Sequence, residues 1–264
     1  MKKIITGLMV AASIASADFL SFSFGGGMWH ENIAGYTKVG NTINYFGKHS
    51  PYGGDVGYLG LKDETKPYIW AKLIHPIPLV PNVKLQYTRY DSTGYSNYIA
   101  GDVKVFGDIN LQTAITNAST SQTISSYDLT FFYEFKPVVA DIEFGFGVDY
   151  WKGHTKIYGT EQSTGETKTW VDSDWSVPLP YLYAHLETMH LFGFSVLGNV
   201  KWARAGDNHH YDYIGAVKYT IDVPGPVNGF VKAGYRYKEA YGVDGDNETK
   251  LQYRGPFMEA GVRF

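Results

Sequence analysis

The sequence has no cysteine among its 264 residues, which excludes both a disulfide-stabilised scaffold and a zinc site with thiolate ligands. Beyond the N-terminus it has no run of ~20 consecutive apolar residues, so a bundle of transmembrane helices is excluded as well. The formal net charge is −3, whereas nucleic-acid-binding proteins present a basic surface, and we therefore predict no nucleic-acid partner. What the chain has in excess is aromatic residues, at 16%, with 22 tyrosines.

The N-terminus has the three parts of an export signal. Lys2 and Lys3 supply positive charge, residues 4–14 form an apolar stretch, and Ala15-Ser16-Ala17 is a small-x-small cleavage site. This order disfavours the alternative, a short N-terminal helix of the folded domain. We predict a cleaved signal peptide at 1–17 and one mature domain at 18–264, exported to the periplasm, the medium or the outer membrane.

Apolar and polar residues alternate with a period of two along the rest of the chain, which indicates strands with one apolar face. One run, for example, sets Phe144 and Phe146 against Glu143. No segment beyond the signal has a convincing helical period. Ten alternating runs are found, at residues 19–30, 68–74, 83–90, 127–135, 142–151, 178–187, 194–203, 211–220, 230–238 and 251–264.

Two architectures share this alternation: a soluble β-sandwich, and a transmembrane barrel whose apolar face points to lipid. The runs approach the ~9–11 residues that cross a bilayer at a tilt, and aromatic residues such as Tyr87, Tyr150 and Trp202 end their apolar faces, as in interfacial girdles. Short and long connections alternate, although the seventh, at 204–210, is short where a long one is expected. The sequence therefore predicts an all-β fold, a transmembrane antiparallel up-and-down β-barrel of ten strands, with eight or twelve as alternatives.

Two segments fit this pattern less well. Pro178 and Pro180 lie in the sixth run, although proline cannot donate to a strand ladder. We expect them above the membrane rim, where pairing has stopped. Residues 109–126 are uncharged and rich in Ser, Thr, Asn and Gln, and we expect a loosely ordered outer loop there.

The chain ends on Phe264, which shares the apolar face of the last run with Met258, Ala260 and Val262. Outer-membrane barrel proteins as a class end in this way, and their assembly machinery reads such a terminal strand. An even number of strands brings both termini to the periplasmic side. We therefore predict the outer membrane of a Gram-negative bacterium as the location, with outer-membrane lipid, lipopolysaccharide and the barrel assembly machinery as partners.

The most specific segment of the chain is the proline-rich stretch 75–82, HPIPLVPN, followed by VKLQYT at 83–88. Three further segments are considered with it: the opening segment 18–29, the segment 127–134 and the closing segment 255–264. Together they resemble a family of small, functionally uncharacterised proteobacterial outer-membrane β-barrel proteins, in which the proline stretch is the first periplasmic turn. The resemblance implies a barrel and its location, and it implies no catalytic residue.

The most enzyme-like cluster lies in and after the seventh connection and consists of Asp207, His209, His210 and Asp212. Asp and His together can activate water. Neighbouring histidines point to opposite faces of a strand, however, and are poor ligands for one metal ion. The alternating acids at 244–248 lack the later glutamate of an EF-hand loop, which favours a hydrated acidic turn. We predict no catalytic, cofactor-binding or metal-binding residue.

The polar faces of the runs carry charges of both signs into the predicted lumen. The basic residues are Lys72, Lys84, Lys201, Lys218, Lys232, Arg236, Lys238 and Arg263, and the acidic ones are Asp128, Glu134, Glu143, Asp149, Glu187, Asp212 and Glu259. Opposite charges can pair across a narrow interior, so a lumen filled by ion pairs and water is predicted. A thin ion-conducting path is the alternative.

These observations predict a non-enzymatic, monomeric outer-membrane barrel with a structural or surface-interaction role. Two alternatives remain open. The first is a narrow, porin-like channel for ions or small solutes, and the second is an outer-membrane hydrolase that acts from its loop tips.

Overall fold

The computed structural model describes residues 20–47, 57–101, 103–106, 111, 113–222 and 227–264. The predicted signal peptide at 1–17 lies outside these residues. No helix in the described part of the chain has the length and apolarity to span a membrane. The strands are β1 (Ser21–Val39), β2 (Thr42–Tyr45), β3 (Gly57–Tyr58), β4 (Glu64–Ile74), β5 (Asn82–Ile99), β6 (Ile115–Phe135), β7 (Ala140–Glu161), β8 (Thr167–Thr188), β9 (Phe194–Ala205), β10 (Asn208–Asp222), β11 (Asn228–Asp244) and β12 (Asn247–Arg263).

The long strands close into a ring. From β4 to β12 each strand pairs antiparallel with the next one along the chain, and β1 pairs with both β4 and β12. Beside the seam between β1 and β12, the backbone N–H of Phe264 donates to the carbonyl oxygen of Phe22 (2.8 Å), and the Phe264 carbonyl accepts from the Phe22 N–H (3.2 Å). Where all of these strands pair, closure removes the sheet edges that an open sheet would expose. The predicted all-β, antiparallel up-and-down barrel is confirmed.

The sheet has twelve strands, whereas the sequence predicted ten and held twelve as an alternative. The predicted runs fall one by one in β1 and in β4 to β12. The further strands are β2, with four residues, and β3, with two, and both are too short to show alternation. β2 pairs with residues 36–39, on the same edge of β1 that β4 uses nearer the N-terminus, and β3 pairs parallel with β2. The count of ten is therefore not confirmed for the sheet as a whole.

Polarity in the wall of the barrel is reversed, with apolar side chains outside and charged ones inside. In β7, Phe144 and Phe146 are each 54% exposed, while Glu143 is 3% and Asp149 is 0% exposed. This is the opposite of a soluble sandwich, whose apolar faces meet in a dry core. The exposed apolar side chains form a band, called the apolar band below, around the end of the barrel where the chain termini lie; it includes Leu20, Phe24, Met28, Ile69, Leu85, Phe144, Phe146, Leu182, Val196, Val217, Val231 and Met258.

Several strands continue well past the apolar band, since β6 has 21 residues and β7 and β8 have 22 each. The expectation of a loosely ordered loop at 109–126 is wrong from Ile115 onward, because this stretch is the first half of β6. Its inward residues include Ala118 and Ile124, which are fully buried, while Ser119 faces outward. Polar residues occupy both faces beyond the band, so the hydrophobic alternation disappears although the strand persists.

The proline-rich stretch at 75–82 forms the tight connection between β4 and β5, at the same end as the chain termini. The backbone N–H of His75 donates to Asn82 Oδ1 (3.0 Å), and His75 Nε2 lies 3.1 Å from the carbonyl oxygen of Pro81. Because proline has no N–H to donate, the chain stops pairing there and reverses. The stretch is therefore a rigid hairpin turn.

Candidate functional site

Charged side chains pair across the interior of the barrel. Lys201 Nζ lies 2.5 Å from Asp128 Oδ2, and both side chains are 3% exposed. Six predicted inner-face cations contact six predicted inner-face acids: Lys72–Glu143, Lys201–Asp128, Lys218–Glu187, Lys232–Glu259, Arg236–Asp212 and Lys238–Asp149. Three of the pairs, Lys72–Glu143, Lys201–Asp128 and Lys238–Asp149, join strands that lie three or more places apart in the ring, and for them the prediction of pairing across a narrow lumen is confirmed. Lys232–Glu259 and Arg236–Asp212 pair between adjacent strands instead.

The pair of Lys238 and Asp149 lies at the centre of the lumen. Lys238 Nζ is 2.6 Å from Asp149 Oδ2, and it also donates to the hydroxyl of Tyr90 (3.1 Å). The carboxylate of Asp149 accepts further hydrogen bonds from Ser126 Oγ (2.6 Å) and Trp151 Nε1 (2.8 Å). Both charges are fully buried, and a buried pair is tolerated when its remaining donors and acceptors are satisfied in this way.

An aromatic layer fills the space around this pair. The rings of Tyr90 and Tyr253 stack with their centroids 4.7 Å apart, and the ring of Trp151 lies 6.2 Å from that of Tyr90. The guanidinium of Arg236 lies 4.7 Å from the ring centroid of Trp29, a cation–π geometry. Rings and ion pairs together occupy the middle of the lumen.

The connection between β5 and β6 folds into the mouth of the barrel at the end opposite the chain termini. Val103 and Val105 are fully buried. The ring of Phe106 lies 5.2 Å from that of Trp175 and 6.5 Å from that of Trp151. This connection therefore packs on the aromatic layer and covers it from the outer side.

A polar cavity of about 580 Å³ lies in the lumen at the other end, near the chain termini. Its walls carry both signs of charge, among them Lys72, Lys232 and Glu143, together with His185. Space inside the barrel at this end is thus polar, in contrast to the aromatic layer at the centre.

The wall of the barrel is interrupted between β8 and β9. The two strands pair only from Leu182↔Trp202 to Glu187↔Leu197. Further along β8, residues 167–181 pair with β7 but with no described residue on the β9 side. β9 ends at Ala205, because the chain turns at Gly206 and Asp207 and starts β10 at Asn208, so β9 does not reach the part of β8 before Leu179. Nearer the last pair, residues 179–181 of β8 and 203–205 of β9 lie on either side of the gap without pairing.

Pro178 and Pro180 lie on β8 at this interruption. They are two residues apart, so their backbone groups point toward the same neighbouring strand. The pairing with β7 runs without a break through both positions, as Tyr150↔Pro178 and Val148↔Pro180. A proline at an unpaired edge removes no ladder hydrogen bond. The expectation that pairing stops near these prolines is confirmed on the β9 side and is wrong on the β7 side.

A cavity of about 590 Å³ occupies the interruption and joins the outer surface of the wall to its interior. Residues of β8 line one side of it, and residues of β9, β10, β11 and β12 line the rest. Phe106 and Lys104, from the connection that covers the mouth, line its inner part. We call this space the lateral cavity; its wall residues include Val177, Leu179, Leu182, Trp202, Ala203, Ala205 and His210.

The enzyme-like cluster predicted from the sequence is not assembled in the fold. His209 faces outward, with its ring stacked on those of Tyr211 (4.7 Å) and Tyr241 (4.9 Å) and its Nε2 2.7 Å from Glu239 Oε1. His210 is 1% exposed and faces inward, where its Nδ1 donates to the carbonyl oxygen of Glu239 (3.0 Å). The two histidines point to opposite faces, as predicted.

The two acids of the cluster are also apart. Asp207 lies in the turn between β9 and β10, while Asp212 binds Arg236 through two hydrogen bonds, from Nε (2.9 Å) and from Nη2 (2.6 Å). Across the residues that the structure describes, no group of three or more His, Asp or Glu side chains could hold a metal ion. The role of His210 in the wall of the lateral cavity was not foreseen, because it depends on a missing strand pairing that alternation does not reveal.

Glu248, the last residue of the predicted acidic turn, binds a neighbouring strand at the outer rim. It accepts hydrogen bonds from Lys38 Nζ (2.6 Å), Tyr36 OH (3.1 Å) and Tyr241 OH (3.1 Å). The hydrogen bond from Lys38 lowers the pKa of Glu248 below its ordinary value, and burial raises the pKa of Tyr36 to about 12. The rim is therefore held by hydrogen bonds between β1, β11 and β12.

No family model matches the sequence, and no curated protein matches it. Solved structures with similar folds include Ail, the attachment invasion locus protein of Yersinia pestis, solved with the heparin analogue sucrose octasulfate (8% identity, 94% of this chain and 100% of that chain, TM-score 0.34). The outer membrane protease OmpT of Escherichia coli is similar at 8% identity over 94% of this chain and 97% of that chain, with a TM-score of 0.39.

The toluene transporter TodX of P. putida is similar at 10% identity over 95% of this chain and 90% of that chain, with a TM-score of 0.30. All three are proteobacterial outer-membrane β-barrel proteins, the class that the sequence segments resemble. Because every TM-score is below 0.5, the assignment of a barrel rests on the strand pairing of this chain itself.

Proposed function

We propose that this protein is an integral outer-membrane β-barrel with a closed lumen, acting as a structural or surface-interaction protein and not as an enzyme. The observation that carries the proposal is the reversed polarity of the wall, with the apolar band outside and paired charges within. Large exposed apolar surfaces are unfavourable in water and are stabilised by lipid. A closed barrel is also the way in which strands satisfy all of their backbone groups within a bilayer.

Ten strands, β1 and β4 to β12, cross the membrane in this proposal. Each of them contains one of the alternating runs, whereas β2 pairs with the half of β1 beyond the apolar band. An even number of crossings brings both termini to the periplasm, together with the short turn at 75–82. The rim that carries Glu248 and the connection between β5 and β6 then faces outward from the cell.

A closed lumen is favoured over a narrow channel by what fills the barrel. The pair of Lys238 and Asp149 and the stacked rings around it occupy the centre, and Val103 to Phe106 cover the mouth. An ion that passed through the lumen would have to separate Lys238 from Asp149. Separating a buried ion pair is strongly unfavourable.

A structural or surface role is favoured over hydrolysis by the separation of the candidate residues. His209 and His210 face opposite sides of the wall, and Asp212 is engaged by Arg236. A general base must reach a nucleophile or water beside the substrate, and these side chains do not share such a position.

The barrel and the closed lumen are tested separately. Heat-modifiable migration of the purified chain with retained β circular dichroism is expected for a membrane barrel, and a monomer soluble in water without detergent would refute it. Planar-bilayer recording is expected to be silent, with a conducting porin in the same bilayer as the control. Reproducible single-channel conductance by this protein would refute the closed lumen and favour the narrow channel.

A further inference from the structure

We propose that the lateral cavity between β8 and β9 binds a free fatty acid, a single-chain carboxylate taken up sideways from the outer leaflet. This inference rests on the membrane location proposed above and adds a ligand site to it. The argument uses the walls of the cavity, its depth relative to the membrane and a buried histidine in its lining.

The walls of the cavity suit a hydrocarbon chain. Val177 and Leu179 line it from β8, Trp202 and Ala203 line it from β9, and Phe106 lines its inner part. Its volume of about 590 Å³ falls within the ~300–1,000 Å³ typical of sites for small molecules, which are mostly apolar with a few polar groups. A hydrocarbon chain in the cavity would shield the apolar side chains of its lining from water, which is favourable.

The cavity opens where lipid chains end and headgroups begin. Its lower limit is the last pair of β8 and β9, formed by Leu182 and Trp202, which are 61% and 43% exposed within the apolar band. Pro178, at its upper part, pairs with Tyr150, and Tyr150 pairs in turn with Tyr127. Outward aromatic residues mark the headgroup level of a barrel, so the opening lies just on the lipid side of that level.

His210 provides the polar end of the site. Its Nδ1 donates to a backbone carbonyl and therefore carries a proton, while its Nε2 is buried without a hydrogen-bond partner in the described residues. The nearby carboxylate oxygen Asp149 Oδ2 is 3.8 Å away and is already bound to Lys238 at 2.6 Å. An unpartnered buried polar atom is unfavourable, and a ligand group that hydrogen bonds to it would relieve that cost.

A carboxyl group fits His210 in either protonation state of the imidazole. Neutral, with Nδ1 protonated, the ring accepts at Nε2 from a carboxylic acid; charged, it donates at Nε2 to a carboxylate. Lys104 and Arg204 also line the cavity, together with one acid, Asp244, so the charged residues of the lining are positive in sum. A single chain with one acidic end matches one apolar slot with one anchor, whereas a phospholipid would bring two chains and a bulky headgroup.

The test uses the full barrel reconstituted in phospholipid nanodiscs, with the fluorescent fatty acid cis-parinaric acid as the probe and dodecanoate as the competitor. Saturable energy transfer from the tryptophans, displaced by dodecanoate, is expected above the level of empty nanodiscs. Because the disc lipids are present in large excess, saturable binding distinguishes the free acid from phospholipid acyl chains. Methyl dodecanoate, which lacks the acid, is expected to compete less well.

Two variants separate the apolar slot from its anchor. Ala205→Trp fills the open end of the slot from an exposed position at the end of β9, where Ala205 pairs with Asn208 of β10 and with no residue of β8, and it is expected to abolish saturable binding. His210→Phe is expected to weaken dodecanoate about tenfold through the lost hydrogen bond while leaving the methyl ester unchanged. The matched control is Val231→Trp, which adds the same ring to the lipid face of β11 and should bind like the wild type.

The outcomes distinguish a failure of this inference from a failure of the proposed function. An inserted, heat-modifiable barrel without saturable binding would overturn the fatty-acid site alone. Equal binding by the wild type and Ala205→Trp would overturn the position of the site in the same way. A chain that never inserts into nanodiscs would overturn both the membrane location and this inference.

Discussion

Replacing Asp149 with Asn would leave the ammonium group of Lys238 buried without its carboxylate. Lys238 is 0% exposed. Among the described residues, Asp149 is the one acid whose carboxylate lies within 4.0 Å of Lys238 Nζ. It would keep the hydroxyl of Tyr90 at 3.1 Å, which satisfies a donor and does not neutralise the charge. Breaking one side of a buried pair costs about 3–5 kcal/mol, so we expect the free energy of unfolding to fall by that amount.

The double variant Lys238→Met/Asp149→Leu removes both charges and replaces them with apolar side chains of similar size. It is expected to recover most of the lost stability, because replacing a whole buried pair is often neutral. Urea unfolding in phospholipid vesicles, followed by tryptophan fluorescence, measures all variants, since Trp151 contacts Asp149 directly. With the matching single variants Lys238→Met and Asp149→Leu, a double-mutant cycle then gives the coupling energy of the pair.

The matched control is the exposed pair of Lys156 and Asp172 on the outer surface, with side chains 48% and 52% exposed and 3.1 Å between the charged atoms. Lys156→Met is expected to cost less than about 1 kcal/mol, since solvent screens the pair. If Asp149→Asn costs no more than this control, or if the double variant costs the sum of its two single changes, the reasoning about the lumen is wrong.

Three further results are expected. Arg236→Lys should lower stability by about 1–3 kcal/mol in the same urea assay, since lysine cannot reproduce the two-pronged contact with Asp212; an unchanged midpoint would contradict this. Phe264→Ser should reduce the heat-modifiable barrel recovered from outer-membrane fractions, and full recovery would argue against recognition of the terminal strand. Glu248→Gln should cost less than about 1 kcal/mol. Because the Lys38 hydrogen bond lowers the pKa of Glu248, this contribution should be present above its ordinary value of 4.5 and disappear on acidification below it; a difference between variant and wild type that persists at low pH would count against the pairing.

Strand positions and inner-face charges were predictable because a barrel repeats one physical rule. Each side chain within the apolar band faces either outward or inward, so a period of two separates Phe144 from Glu143 without any knowledge of the neighbouring strands. By the same rule, Lys201 and Asp128 both face the interior. Because the lumen is narrow, opposite charges that face it come close enough to pair, as these two do.

Features beyond the apolar band were not predictable in this way. There, residues such as Ser119 and Thr120 are polar on both faces, so a strand and a loop have the same pattern. β2 and β3 are too short to carry a period. The lateral cavity exists because part of β8 does not pair with β9, and a strand pairing cannot be inferred from alternation. The prolines of β8 and the short seventh connection, which both lie beside the cavity, appeared in the sequence only as irregularities.

The strands give the barrel an uneven height. A strand of 22 residues such as β7 is ~73 Å long, and at a tilt of ~45° it rises ~51 Å, roughly twice the ~25 Å of an apolar band. β9, with 12 residues, rises only ~28 Å by the same geometry. The wall therefore extends beyond the bilayer over much of its circumference and is low at β9 and at β4, which has 11 residues. Because its height varies around the ring, a neighbour in the plane of the membrane can distinguish the rotational orientations of the barrel.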